Sequence, residues 1–431
     1  MPQVEACGSD LFMESGMPHI AIIGAGITGV TTAYSLLDRG YTVSLLDRHR
    51  YAAMETSFAN GGQLSASNAE VWNSWSTVFK GLKWMMRRDA PLLMSPRPNW
   101  HKYSWMAEFV ANIHGYRNNT VETTRMAISA RKRLFEIAER ENIDFDHETR
   151  GILHIYWDNP SFQHALKVNG MLVEGGLDRR SVTAEEIKAI EPTLHGNFQG
   201  GFYTPSDSTG DIHKFTYGLA RACDRRGAKF IFDANVGRIA RDDGFHISYT
   251  TSDPDEPHRT IKADGIVICA GTASRQFASM LGDRVNIYPV KGYSITVYLE
   301  EERSRRAAPW VSLLDDRAKI VTSRLGEGRF RVAGTAEFNG MNRDIRDDRV
   351  RPLVDWTRTL FPDIDTRRVV SWAGLRPMMP NMMPRVGKGR QTGVFYNTGH
   401  GHLGWTLSAG TAEMIGEIIS AEFQSRSALA A

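Results

Sequence analysis

Three glycines near the start of the chain have the spacing of an anion cradle: Gly24, Gly26 and Gly29, in the run Gly-Ala-Gly-Ile-Thr-Gly. Gly24 permits a tight turn, Gly26 lets backbone N–H groups reach a pyrophosphate, and Gly29 allows helix and strand to pack closely. The flanks agree. His19-Ile-Ala-Ile-Ile23 is a short apolar run suited to a buried parallel strand, and Val30 to Arg39 has helical character ending at Gly40. Tyr41 to Leu46 reads as a second strand closed by Asp47, 18 residues after Gly29, close to where a carboxylate accepts from a ribose hydroxyl. The helix N-terminus holds the negative charge of the phosphates. A glycine-rich turn with no ligand is the plainer alternative, but strand, helix, second strand and acid are all in register. Whether the dinucleotide is FAD or NAD(P) stays open at this motif, since both present the same adenosine pyrophosphate.

Three further segments favour a flavin. Ser57-Phe-Ala-Asn60-Gly61-Gly62-Gln63-Leu64-Ser65 is rich in small residues, so backbone approaches a flat ring while Ser, Asn and Gln supply hydrogen bonds. On composition alone it is also an ordinary polar loop. Ala263-Asp-Gly-Ile-Val-Ile-Cys-Ala270-Gly271 reads as another strand of the nucleotide sheet, ending in small residues at the cofactor crevice. Asn397-Thr-Gly399-His400-Gly401-His402-Leu403-Gly404-Trp405-Thr406 leads into a helix predicted to run to about Ala421. Exposed N–H donors and the dipole there stabilise a reduced flavin's negative pyrimidine side, the dipole by about 0.3–2 kcal/mol. His400 and His402 stand two apart with no carboxylate or cysteine partners, so no metal is expected.

The elements that must position these residues belong to an ordinary globular chain. At 431 residues it is long enough for two domains, and 42% hydrophobic with 23% charged residues supports a sizeable core. A net charge of +3 does not mark a nucleic-acid binder. Cys7, Cys223 and Cys269 are sparse and fit no metal spacing, which points to a reducing compartment and a cytoplasmic place. No apolar run approaches the roughly 18 residues of a membrane span. Residues 1–18 lack the pattern of a signal peptide and read as a loose extension. Strands are predicted at Arg150–Trp157 and Arg329–Gly334, and amphipathic helices at Thr123–Glu141 and Ile212–Arg226.

Taken together, Glu55 to Ser65, Lys83-Trp-Met-Met86 with Ala90-Pro-Leu92, Asp207-Ser-Thr-Gly-Asp211, Tyr288 to Ser294, Gly374-Leu-Arg-Pro-Met378 and Asn397 to Gly401 carry a resemblance. The chain resembles the FAD-dependent D-amino acid dehydrogenase (small subunit) family, within the D-amino acid oxidase and glycine oxidase superfamily. The resemblance runs from Ile20 to about Ser420. It implies an α/β fold: a Rossmann-like FAD-binding domain from residues 19–66, 206–286 and 386–424, and a discontinuous α+β substrate domain from 67–205 and 287–385. It also implies oxidative deamination of a small D-amino acid to a 2-oxo acid and ammonia, a hydride passing from the α-carbon to FAD and the electrons on to a quinone or other carrier.

The residues expected to hold FAD are Gly24, Gly26, Ile27, Thr28, Gly29, Asp47 and Arg48 at the fingerprint, and Ser57, Asn60, Gly61, Gly62, Gln63 and Leu64 in the following loop. Val236, Ala270 and Gly271 join them, with Gly401, His402, Leu403, Gly404, Trp405 and Thr406 near the C-terminus. Arg376 matches the family's carboxylate-binding arginine, a role suited to a planar, bidentate, permanently charged group. Tyr293 and Lys291 lie on a strand expected to return to the substrate face, where Tyr293 lines the pocket or is core. Lys319 sits where the family usually has lysine on a neighbouring strand, though an exposed strand lysine is the commoner case. No base is required if the amine loses its proton before or during binding.

Three places depart from the family pattern: Arg317 and Ala318 before Lys319, Asn381-Met382-Met383 beyond Arg376, and His402 for a small residue. They hint at a cyclic substrate such as a (hydroxy)proline derivative, or at an amino acid with a polar side chain. Lys80 to Arg88 mixes basic and large apolar residues at helical spacing, which suits a helix packed on the substrate domain or one lying peripherally on the membrane's inner face. An oxidase using oxygen and a non-catalytic FAD-holding partner of an amine-oxidising complex are the remaining alternatives.

Overall fold

The computed structural model describes residues 17–84 and 92–430. Most of the N-terminal extension, with Cys7, lies outside the described residues, as do residues 85–88 of the basic, apolar stretch. The first part of that stretch belongs to a helix, Trp75–Trp84.

A six-stranded sheet carries the nucleotide motif, in the order Arg385–Lys388, Val394–Thr398, Gly265–Ile268, His19–Ile23, Thr42–Leu46, Lys229–Ile231. Its neighbours run parallel except for the hairpin formed by the first two. Parallel strands are buried on both faces, which explains the unbroken apolar runs. Ile20 and Ile22 pack into a core under the helices Ile27–Asp38, Ile212–Arg225 and Gly404–Ala430. Ala21 and Ile23 face the other way, onto a three-stranded antiparallel meander running from Asn235 to Ala263 and onto the helix Ser274–Met280.

The second sheet has nine strands. Its long members are Tyr288–Tyr298, Arg329–Phe338 and Val369–Met378, followed outward from Arg329–Phe338 by Ile320–Leu325, Ser312–Asp315, Ile152–Tyr156 and Gly200–Thr204. One face packs on the helix Asp347–Leu360 around Ile295, Phe330, Leu353 and Trp356. The opposite face looks onto a cavity shared with the nucleotide sheet.

The mixed α/β architecture with a Rossmann-like parallel sheet agrees with the sequence reading. Boundaries shift in places. The fingerprint helix begins at Ile27, because Gly26 holds the last extended backbone before the turn closes. The C-terminal helix runs to Ala430, beyond Ala421. Ala263 to Ile268 is two strands: Ala263 ends the meander, and Asp264 breaks the chain by accepting the His19 N–H at 2.7 Å before Gly265 joins the parallel sheet.

Candidate active site

At the nucleotide end the glycines do separable work. Gly24 has φ +108, and a Cβ there would lie 2.6 Å from the carbonyl oxygen of Cys269. A Cβ on Gly29 would lie 1.8 Å from the Gly24 oxygen, so this glycine sets the helix–strand contact and does not line the cavity. Around this turn Ala25 N–H donates to Asp47 at 2.7 Å and Ile27 N–H to the Ser57 hydroxyl at 3.1 Å. The amides of Gly26 and Thr28, both on the cavity wall, receive no acceptor from the described residues. Orphaned donors at a helix start fit a pyrophosphate. Each Asp47 oxygen accepts one backbone N–H, from Ala25 or His49, and a carboxylate has further lone pairs for a ribose. Arg48 pairs with Glu55 beside it.

The loop from Ser57 to Ser65 lies under the second sheet. A Cβ on Gly61 would meet Val321 at 2.7 Å, and one on Gly62 would meet the Ser323 hydroxyl at 2.8 Å. Ser323 donates to the Gly61 carbonyl at 2.6 Å, Ser294 to Ala59 at 2.7 Å, and Arg331 to Asn60 at 3.0 Å. The polar side chains of this loop turn toward protein: Asn60 accepts from Gly62 N–H, and Gln63 donates to Ser312 and Leu313. Ser57, Asn60 and Gln63 thus each have a protein partner while lining the cavity. Leu64 is wholly buried in the core, and Thr406 caps Ser65 N–H at 3.1 Å; neither lines the cavity.

Arg376 stands on the cavity face of the second sheet. Val290 pairs with Arg376, Gly292 with Gly374, and Ser294 with Trp372, so these six share one face. A Cβ on Gly292 would come 2.4 Å from the guanidinium carbon of Arg376, and one on Gly374 would come 2.0 Å from the Trp372 ring. The glycine pair is thus a floor on which a guanidinium and an indole lie. Among the described residues Arg376 has no ion pair, and burial pushes its guanidinium down to about 10. It stays charged at neutral pH and lacks a counter-ion.

The C-terminal helix brings its start to the same place. Gly401, at φ +60, donates its N–H to the Pro377 carbonyl at 3.0 Å, and His400 bridges to Met378. His402 stacks on Trp72 at 4.9 Å and bonds the Asn68 carbonyl at 3.1 Å. Burial, with the Arg376 charge adding to it against the pull of Asn68, holds His402 down to about 4. His400 bonds Thr411 instead, and burial pushes it down to about 3. The two imidazoles have separate partners and do not converge.

Tyr293 and Lys291 pair with Ala373 and Leu375, on the face opposite Arg376. The Tyr293 hydroxyl donates to Glu337 at 2.7 Å, and Lys291, wholly buried, lies 2.9 Å from the same oxygen. Tyr293 borders the cavity, but its phenol belongs to the packed side, for a reason of strand parity. Lys319 is not on a strand. It holds φ +54 in the turn before Ile320–Leu325, lines the cavity and pairs with Asp316 at 2.5 Å.

One cavity of about 530 Å³ joins these residues. Gly24, Gly26, Ile27, Thr28, Asp47, Arg48, Ser57, Asn60, Gly61, Gly62, Gln63, Val236, Ala270, Gly271, Gly401, His402, Leu403, Gly404 and Trp405 line it, as do Arg376, Tyr293 and Lys319. Arg317, Ala318 and Asn381 to Met383 do not, so two of the three departures lie off the cavity wall; Arg317 sits over the Trp157 ring at 3.9 Å. Sequence reasoning missed Trp372, Thr335, His154, Tyr156 and Arg179. Thr335 has φ +49 at a β-bulge opposite Gly292 and Tyr293, a register fault that no local motif announces.

The parallel sheet and its glycine turn define the class, a Rossmann-like dinucleotide-binding protein with a second sheet walling the same cavity. The chain belongs to the FAD dependent oxidoreductase (DAO) family, whose model matches residues 19–418. FAD is the cofactor, and the orphaned amides fit its pyrophosphate. The chain is 69% identical over 415 residues to D-amino acid dehydrogenase 3 of Mesorhizobium japonicum, spanning 96% of this chain and 100% of the relative. It is 40% identical over 412 residues to D-amino acid dehydrogenase of Paramagnetospirillum magneticum, spanning 93% and 94%. Glycine oxidase from Geobacillus kaustophilus shares the fold at a TM-score of 0.72 and 19% identity, covering 94% and 95% of the two chains. L-proline dehydrogenase from P. horikoshii does so at 0.71 and 16%, covering 94% of each.

Proposed function

We propose that this protein oxidises the α-carbon of a small D-amino acid, giving a 2-oxo acid and ammonia. The observation that carries the reading is Arg376: a charged guanidinium without a counter-ion, laid over Gly292 on the cavity face. A carboxylate is the group that satisfies it, through two parallel hydrogen bonds. When bound, FAD supplies the acceptor for a hydride equivalent.

The chain's own contribution is positioning. Arg376 fixes the acid end of the substrate, and Trp372, lying over Gly374, walls the neighbouring space. His402, neutral at pH 7 and stacked on Trp72, closes a further side. Glycines 292 and 374 let these groups lie close to the sheet. Holding a substrate in this way accounts for a large share of a rate enhancement without a general base. The residues proposed to hold FAD are the cavity-lining members of the set expected from the sequence. The cofactor domain is proposed to comprise 19–66, 206–286 and 386–424, and the substrate domain 67–205 and 287–385.

Electrons leave for a quinone or another carrier in this reading. No described helix is long and apolar enough to cross a membrane. Peripheral contact through the helix Trp75–Trp84 is compatible with its exposed Trp75 and Phe79, 57% and 65% accessible. The test is anaerobic: purified holoenzyme is mixed with a panel of D- and L-amino acids, including D-proline and hydroxyproline. D-amino acids are expected to bleach the flavin band and L-enantiomers to leave it. Bleaching by L-amino acids alone, or by none, overturns the proposal. A cyclic D-amino acid reacting fastest would move the substrate without changing the chemistry.

A further inference from the structure

The cavity contains a second arginine that the reaction does not use. Arg179 is only 6% accessible, and its guanidinium lies 4.3 Å over the Phe202 ring. Nη1 donates to Asn169 at 3.2 Å, while Nε is buried with no partner. No ion pair reaches it among the described residues. The nearby acids are engaged elsewhere. Asp207 pairs with Arg131 and accepts from Ala66 and Ser67 N–H; Glu70 accepts from Tyr116 at 2.6 Å and faces His164 at 4.0 Å. Of the arginines lining the cavity, Arg48 has Glu55, so Arg376 and Arg179 are the two without a carboxylate partner among the described residues.

Around Arg179 the wall is polar and builds a site. His154 and Tyr156 come from the strand Ile152–Tyr156, and His154 pairs in register with Phe202. Lys319 adds a cation across the turn, held by Asp316. Burial, then the Arg179 and Lys319 charges, push His154 well below its ordinary value, so it remains neutral beside the guanidinium. Glu70 and His164, with 35% and 47% of their side chains accessible, mark the side open to water.

Arg376 lies by Gly292 and Arg179 over Phe202, on strands well separated in the sheet order. From the strand holding Gly292 to Ile152–Tyr156 the sheet order makes four steps. At about 4.8 Å each, that is roughly 19 Å along the sheet. One residue spans at most about 3.6 Å of extended chain. A guanidinium removed from water and left without a counter-ion calls for an anion. The amino acid substrate and the 2-oxo acid product of the proposed function both carry a carboxylate.

We infer that Arg179, with Tyr156 and Lys319, forms a second subsite for a small monocarboxylate, holding a substrate molecule on its way in or the 2-oxo acid on its way out. The inference rests on the proposed function for the identity of the carboxylate. No bond is made or broken there; the site raises the local concentration of the acid along the path to Arg376.

Equilibrium dialysis of the oxidised holoenzyme with labelled pyruvate tests it. Two pyruvates per flavin are expected for wild type, one for Arg179→Met and one for Arg376→Met. Arg179→Lys keeps the charge but loses the planar fork, and should weaken one of two sites by about 10- to 100-fold. That variant decides the matter should Arg179→Met fail to retain flavin. A single pyruvate in wild type, two in Arg179→Met, or unchanged affinities in Arg179→Lys would overturn the subsite. Repeating the dialysis with D-alanine on dithionite-reduced enzyme, which cannot turn over, separates the sources: two D-alanines per flavin assign the subsite to substrate as well as product, and one assigns it to product alone. An enzyme that binds two pyruvates yet is reduced by no D-amino acid would sink the functional reading and leave the subsite standing.

Discussion

The two faces of the ladder between Tyr288–Tyr298 and Val369–Met378 treat charge in opposite ways. Behind the sheet, Lys291, Tyr293 and Arg346 all bond Glu337, and Lys291 also reaches Asn342 at 2.6 Å and the Asp344 carbonyl at 3.0 Å. Burial pushes the Glu337 carboxyl up, but the Tyr293 and Lys291 bonds outweigh it and hold the group below its ordinary value. In front, Arg376 has a glycine beneath it and, among the described residues, no acid paired with it. One face is a closed network, and a closed network stabilises. The other is an open valence, and it awaits a ligand.

That contrast predicts which variants lose function and which lose stability. Arg376→Met should lower kcat/KM by on the order of 10²–10³-fold through loss of a buried charge-assisted contact, about 3–4 kcal/mol, while unfolding changes little. Steady-state kinetics beside urea unfolding would check both halves. Lys291→Met should do the reverse, costing about 3 kcal/mol of stability because Glu337 is left buried with fewer partners, with KM nearly unchanged. A rise in KM matching that of Arg376→Met would erase the distinction between faces. Gly292→Ala pushes a methyl into the Arg376 guanidinium and should cost about 10- to 100-fold in kcat/KM. Tyr293→Phe removes one bond to Glu337, so a stability loss of about 1–2 kcal/mol without a change in kcat is expected from thermal unfolding.

A further effect is one of pH. His400 and His402 are held down to about 3 and 4, below the ordinary 6.5. The unfolded chain therefore binds protons first, and stability present above pH 6.5 is lost as the pH falls toward 4. The melting temperature should drop between pH 7 and pH 5, and less so in His402→Gln.

The sequence made one end of the cavity far more legible than the other. Gly24, Gly26 and Gly29 act within a single turn, so spacing alone predicts their roles, and Gly29 packs as expected. Arg376 was reached through its Gly-Leu-Arg-Pro setting. Tyr293 is not resolvable from sequence, because which way it faces depends on parity relative to Arg376, 83 residues later. Asn60 and Gln63 look like ligand-binding side chains in one dimension, yet Gln63 meets Ser312 only once the second sheet has formed. Arg179 carried no local signal at all. Its significance is that no acid among the described residues pairs with it, which is a property of the assembled fold.

The most direct test of the unpaired arginine compares anaerobic flavin reduction by D-alanine and by D-alaninamide, which lacks the carboxylate. Wild type should favour the acid by on the order of 10²-fold, and Arg376→Met should lose that preference. If the amide reduces wild-type flavin as readily as the acid, Arg376 does not anchor the substrate and the account fails.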